Sequence, residues 1–263
     1  WFNSASTFAG AASPATDKDY YRFDVATPQV ITFETFENAA ATDVTSTTFT
    51  TSMFLYNAAG VSQTTDSGVA TNGIRSASAL SWPFETTGPY YIQVEESGRN
   101  AVLSSYRLKA EYPPAFGAEA EPNDAFATAT PLVGASGWIA GNHTLNADLD
   151  YYTITVPAGA SLRLETIEGY RSVAPAGVTP ETCESNGIDS FLYLYNPAGT
   201  QIASDDDSAR GWCSLIDGTG SASKQAAGAG NLPAGTYTIL VKTGSTTAGG
   251  VFDYKLIWKI RTP

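Results

Sequence analysis

The sequence predicts an all-β protein: two tandem antiparallel β-sandwich domains, jelly-roll-like, the first lacking its N-terminal strand. Three observations lead there. The chain repeats itself, apolar residues alternate with period two, and the apolar runs are four to eight residues long between Gly, Pro, Asn and Asp. No stretch of twelve residues shows helical periodicity with caps.

The repeat comes first, because it fixes the domain count. Asp17-Lys18-Asp19-Tyr20-Tyr21 returns as Asp148-Leu149-Asp150-Tyr151-Tyr152, an offset of 131 (148 − 17). The same offset relates Phe8-Ala9-Gly10 to Ile139-Ala140-Gly141, and Phe33-Glu34-Thr35 to Leu164-Glu165-Thr166. Insertions then widen it. Phe54-Leu55-Tyr56-Asn57 matches Tyr193-Leu194-Tyr195-Asn196, and Tyr106-Arg107-Leu108 matches Tyr254-Lys255-Leu256. The expected domains are residues 1–112 and 125–263, joined by a linker over 113–124 that begins Pro113-Pro114. The second copy is preceded by Glu119-Ala120-Glu121-Pro122-Asn123-Asp124 and a short apolar segment with no counterpart in the first.

The strands follow from the alternation. Tyr21, Phe23 and Val25 face one way, as do Leu162 and Leu164, Tyr237, Ile239 and Val241, and Tyr254, Leu256 and Trp258. Phe191, Tyr193 and Tyr195 alternate with Leu192 and Leu194, so that strand reads as apolar on both faces and central. Asn196-Pro197-Ala198-Gly199 is a hairpin turn. Its centre pairs residues whose numbers sum to 395 (196 + 199), and Cys183 and Cys213 sum to 396, so the two cysteines meet beyond the open end of the hairpin. The expected disulfide implies an oxidising compartment.

Composition limits the function. The net charge is −12 and charged residues are 15%, against about 25% in an average soluble domain. This excludes a nucleic-acid partner, which needs a basic footprint. No apolar run approaches the roughly 18 residues of a membrane helix. The opening Trp1, in place of Met, reads as a mature or excised piece. Scarce Lys, one Met and abundant Ser, Thr, Ala and Gly suit a secreted bacterial protein, extracellular or on the cell surface. Catalysis has little to stand on. His143 is the single histidine, in a loop-like segment, and there is neither a Cys cluster nor a Gly-x-Ser-x-Gly elbow. Trp82, Trp138, Trp212 and Tyr170 lie near turns, where they either stack on a ligand or cover strand ends.

The order of motifs over Glu121–Leu256 is specific: Glu-Pro-Asn-Asp, Asp-x-Asp-Tyr-Tyr, Asp-Ser-Phe-Leu-Tyr-Leu-Tyr-Asn-Pro-Ala-Gly, an Asp-Asp pair, Ala-Gly-Thr-Tyr-Thr-Ile-Leu-Val and Asp-Tyr-Lys-Leu. It resembles the bacterial pre-peptidase C-terminal domains, relatives of the collagen-binding domains of clostridial collagenases. The first copy resembles them more weakly over Phe8–Leu108. The resemblance implies a β-sandwich, secretion, no catalysis of its own and often calcium near the N-terminal linker. Carried over by motif, the calcium candidates are Glu119, Glu121, Asn123, Asp124, Asp148 and Asp150. Calcium takes six to eight hard oxygens, and two acidic clusters about 25 residues apart converge if one is a linker and the other a strand entrance. The alternative is a solvated acidic linker with Asp150 capping a turn. Weaker candidates are Asp17 and Asp19 in the first copy, and Asp189 with Asp205 and Asp206 (Asp207 follows) in the second.

Two functions fit. One is a secreted structural subunit of a filament or surface assembly, a head-to-tail homopolymer in which a neighbour supplies the missing strand; Trp1, Phe2 and Phe8 are the donor candidates. The other is an accessory module that holds a secreted peptidase or hydrolase on collagen-like protein or polysaccharide.

Overall fold

In the computed structural model the chain divides after Tyr112 into two compact units. The structure describes residues 6–12, 16–36, 51–67, 78–99, 102–145, 147–185, 187–218, 228–244 and 250–262. Both units are β-sandwiches, and no α-helix occurs among the described residues. None of their helical segments is long and apolar enough to cross a membrane.

The first unit contains β1 (Ser6–Ala12), β2 (Lys18–Val25), β3 (Gln29–Phe36), β4 (Thr51–Tyr56), β5 (Ser62–Ser67), β6 (Ala79–Phe84), β7 (Gly88–Glu96) and β8 (Leu103–Glu111). Its sheets run β1-β8-β3-β6 and β2-β7-β4-β5, every pairing antiparallel. That is the jelly-roll order of two interleaved Greek keys. Phe23, Phe33, Phe84 and Tyr90 fill the space between the sheets, with ring centroids 4.7–6.4 Å apart. Trp82, a ligand candidate from its sequence position, is buried in β6.

The second unit repeats this order with β11 (Ser136–His143), β12 (Leu149–Val156), β13 (Ser161–Glu168), β14 (Ser190–Tyr195), β15 (Gln201–Asp205), β16 (Leu215–Asp217), β17 (Gly235–Thr243) and β18 (Phe252–Arg261). Two short strands precede them, β9 (Ala115–Ala118) and β10 (Thr130–Leu132). The sheets become β16-β13-β18-β11-β9 and β10-β12-β17-β14-β15. The second unit therefore has two strands that find no counterpart among the described residues of the first. β9 lies parallel to β11 and β10 parallel to β12, one on the edge of each sheet. Residues 113–124, expected as a linker, supply β9 to the second unit. Their acidic and Pro-rich composition hides a strand only four residues long, which alternation cannot register. In the first unit β1 and β2 are the outer strands of their sheets, with no described strand beside them. Phe8, expected in a donor segment, pairs with Leu108 inside its own unit. Trp1 and Phe2 lie outside the described residues.

Polar pins repeat in both cores. Thr35, Thr51 and Ser78 form a buried hydroxyl cluster: Thr35 Oγ1 and Thr51 Oγ1 are 2.6 Å apart, and Ser78 N donates to both at 3.0 Å. Thr166, Ser190 and Ser214 reproduce it at 2.6, 2.9 and 3.1 Å. Each hydroxyl is satisfied, so the cluster fixes register without the cost of an orphaned group.

The hairpin β14–β15 forms where expected. A bulge between Leu194 and Tyr195 moves its register, so Leu192 faces Asp205 rather than Ala203. Cys183, in a 3-10 turn, and Cys213 form a disulfide. With Arg210, buried between Glu168 and Glu184, it anchors the long connection from β13 to β14. Closing a loop with a sequence separation of 30 stabilises by about 3–4 kcal/mol in the chain-entropy model. Reduction, or Cys183→Ser with Cys213→Ser, is expected to lower the melting temperature of the second unit by roughly 10 °C. Two free thiols by mass spectrometry of unreduced protein would refute the bond.

Candidate metal centre

The acidic lead-in is laid along the second unit by its own backbone. Trp138 N donates to Pro114 O at 2.9 Å, Glu119 N to Ala140 O at 2.8 Å, and Tyr151 N to Asn123 O at 3.1 Å. The chain turns at the cis peptide Glu121–Pro122. This brings carboxylate oxygens of Glu119, Glu121 and Asp150 within 4.8 Å of one another.

Each of these groups is held from outside the cluster. Glu119 accepts from Asn142 N at 2.7 Å, from Asn123 Nδ2 at 3.1 Å and from the Tyr152 hydroxyl. Glu121 accepts from Asn123 N at 2.9 Å. Asp150 accepts from Tyr254 OH at 2.5 Å, and the Tyr152 and Tyr254 hydroxyls lie 2.6 Å apart. Gly141 permits this. A Cβ there would come within 2.4 Å of the Tyr254 ring and 2.8 Å of the Tyr152 hydroxyl. Two buried oxygens have no hydrogen-bond partner, Asn123 Oδ1 and Asp150 Oδ1. Neither Asn123 nor Asp150 is exposed to solvent at all. Buried acceptors left unpaired cost roughly 1–3 kcal/mol each, and here they adjoin three carboxylates. The donor set is all oxygen, which suits a hard divalent cation.

Burial, and after it the charge of Glu119, pushes the Asp150 carboxyl up to about 9. Burial also raises Glu119, against the hydrogen bonds from Tyr152, Asn142 and Asn123 that favour its charge.

The other sequence candidates divide. Asp124 is exposed and stands outside the group. Asp148 groups with Asp150 and His143 instead, and accepts from Thr144 N at 2.8 Å. In the first unit Asp19 accepts from Tyr106 OH at 2.6 Å, and Tyr106 OH lies 2.7 Å from Tyr21 OH. This copies the Asp150–Tyr254–Tyr152 arrangement, but no third carboxylate joins Asp17 and Asp19 among the described residues. Lys18 reaches Glu95 at 3.7 Å. Asp189 and Asp206 do come together, with Asp207 as the third member. Asp205 turns inward and accepts from Ser208 N at 3.0 Å and Leu215 N at 2.7 Å. Asp66 makes the matching bond to Ala79 N at 2.8 Å in the first unit, so Asp205 is a structural tie between sheets.

Two features escaped the sequence reading. His143 is no loop residue but the buried end of β11. β14 does lie inside its sheet, yet of its apolar residues only Leu192 and Leu194 face the core. Phe191, Tyr193 and Tyr195 form an outer row with successive centroids 4.8 and 6.4 Å apart, extended by Phe126 at 5.1 Å from Tyr195 and 5.0 Å from Tyr151.

Residues 148–243 match the family model of the bacterial pre-peptidase C-terminal domain. The matched residues lie within the second unit. The match begins after the lead-in and does not reach the first unit. No curated protein matches the chain. Among solved structures it is similar to the CUB1-EGF-CUB2 domain of human MASP-1/3 (8% identity, 98% of this chain and 100% of that one, TM-score 0.27). It is similar to the PBSX exported protein XepA (10% identity, 98% and 86%, TM-score 0.28). A third is the CBM22-1-CBM22-2 tandem domain of Paenibacillus barcinonensis Xyn10C (11% identity, 92% and 82%, TM-score 0.21). Likeness at this level says nothing about ligand or partner.

The buried carboxyl sets a pH dependence. With Asp150 raised from 3.8 to about 9, the folded state keeps a proton that the unfolded chain releases, so stability falls as pH rises through that window. His143, pushed from 6.5 down to about 4 by burial, acts in the opposite sense, but only below pH 6.5. In excess chelator the melting temperature of the second unit is therefore expected to fall from about pH 6.5 to about pH 9, and Asp150→Asn to flatten that fall. A level profile in the parent protein would mean that Asp150 is ionised throughout.

Proposed function

We propose that this chain is a secreted, non-catalytic structural module, a subunit of an extracellular filament or surface assembly joined by strand complementation. One observation carries the reading: both outer edges of the first unit, β1 and β2, are bare of described strands, while their counterparts β11 and β12 are covered by β9 and β10. An uncovered edge is a template for another chain. The donor is an extended segment of a neighbouring copy. With Phe8 committed to β1, residues 1–5, which carry Trp1 and Phe2, are the remaining candidate, and they are long enough for a strand of the length of β9. A head-to-tail contact of this kind does not close and so builds filaments.

In the second unit Glu119, Glu121, Asp150 and Asn123 Oδ1 hold calcium. Their orphaned oxygens support this, and water and backbone oxygens complete the coordination. The ion fastens the lead-in to β12 and removes the repulsion among the three carboxylates.

A specific observation favours a second reading, an accessory module of a secreted peptidase or hydrolase. The outer aromatic row of Phe191, Tyr193, Tyr195, Phe126 and Tyr151 is a surface of the kind that stacks on polysaccharide or lies along a fibrous, collagen-like protein.

Size-exclusion chromatography and negative-stain microscopy test the structural reading. Filaments or open-ended oligomers are expected, dispersed by a synthetic peptide covering residues 113–133. Compact monomers at all concentrations, with and without calcium, would sink it. For the ion, calcium should raise the melting temperature of the second unit, and Glu121→Gln should remove most of the rise. An equal effect of the substitution in chelator would make Glu121 a turn residue instead.

A further inference from the structure

His143 is the only histidine in the chain, and its side chain is wholly buried. Both ring nitrogens lack a hydrogen-bond partner. Phe252 meets the ring edge-on at 4.9 Å, and Tyr254 stacks on it at 5.4 Å. An imidazole shut between aromatic rings with no partner on either nitrogen is an unusual arrangement, since buried polar atoms are almost always paired. What faces it is acidic. Nε2 lies 3.6 Å from Asp150 Oδ2, and a ring nitrogen and carboxylate oxygens of Asp148 and Asp150 lie within 4.8 Å of one another. Two donors on one tetrahedral ion, each about 2.0–2.1 Å from it, sit about 3.3 Å apart. The His143–Asp150 spacing of 3.6 Å is close to this value, and the Asp148 oxygen lies within 4.8 Å of both.

We propose that His143, Asp148 and Asp150 form a second cation site, distinct from the all-oxygen site of Glu119, Glu121 and Asp150, and selective for a borderline transition-metal dication of the zinc class. The imidazole makes the difference. Neutral imidazole suits zinc, nickel and copper, whereas calcium prefers oxygen alone. Asp150 belongs to both groups and has two oxygens to divide between them, so the sites form a carboxylate-bridged pair. A cavity of about 330 Å³ is lined by His143 together with Asn142, Thr144, Glu181, Phe252 and Asp253. Its two carboxylates favour the approach of a cation. The first unit provides a contrast within the chain. It keeps Asp17 and Asp19, but at the offset of 131 the place of His143 is taken by Ala12.

The single histidine makes the test direct. Full-length protein labelled with 15N-histidine is stripped with chelator, saturated with Ca2+ and titrated with Zn2+, following calorimetry and the ring nitrogen resonances together. One equivalent of Zn2+ per chain is expected, with one ring nitrogen moving to a metal-bound shift. His143→Gln should weaken that uptake roughly 100-fold or more and leave any Ca2+-induced rise in melting temperature in place. Unmoved ring resonances, or uptake unchanged in His143→Gln, would overturn the proposal. So would displacement of Ca2+ by Zn2+ one for one, since that means a single site. If His143→Gln fails to fold, the resonances of the parent protein decide alone. If Ca2+ has no effect, the zinc result is read in its absence, so the two sites stand or fall separately.

Discussion

The second unit depends on a hydrogen-bonded bridge between its sheets. Tyr152 and Asp150 project from β12 and Tyr254 from β18, and their three polar ends meet in the interior. Tyrosine suits the place, because its ring fills the core while its hydroxyl needs a partner. The aspartate gives the pair an acceptor, and Gly141 leaves the room. Glu119 then joins through Tyr152, so the lead-in is attached to the same polar centre that ties the sheets. Sandwich, edge strands and acidic cluster share one group of atoms. The first unit builds the same bridge from Tyr21, Asp19 and Tyr106, so the bridge recurs in both jelly rolls.

Much of the fold was legible because repetition and alternation are both read directly off the chain. The offset of 131 located matching strands before any strand was assigned, and alternation gave the strand over 190–195, though not which of its two apolar faces meets the core. β9 and β10 were not legible: they have four and three residues, too short for a period. The hairpin register slipped for a related reason, since a bulge adds a residue without leaving a sequence mark. Of the carboxylates carried over by motif, Asp150 on β12 comes together with Glu119 and Glu121 from the lead-in. Asp124 is exposed and Asp205 accepts from two backbone amides, a difference that acidity alone does not mark in a sequence. His143 was overlooked because its flanking Gly141 and Asn142 suggest a loop, while its burial comes from Phe252 and Tyr254, more than a hundred residues away.

The second unit holds one long connection by two separate devices. The path from β13 to β14 carries the disulfide and the buried Arg210 between Glu168 and Glu184. Arg210 and Glu168 are buried, Glu184 stands at the surface, and Arg171 pairs with both carboxylates, so loss of either carboxylate would leave the Arg210 guanidinium only one acidic partner. Covalent bond and ion cluster together hold a segment that has almost no regular secondary structure.

The lead-in has a mechanical meaning. Tension entering the second unit at Pro113 does not act first on the jelly roll. It must strip β9 from β11, then open the junction around Glu119 and Asn123, then pull β10 from β12, each hold being separate along the chain. Such a strap yields in steps and keeps the eight-stranded body intact until the last hold is lost.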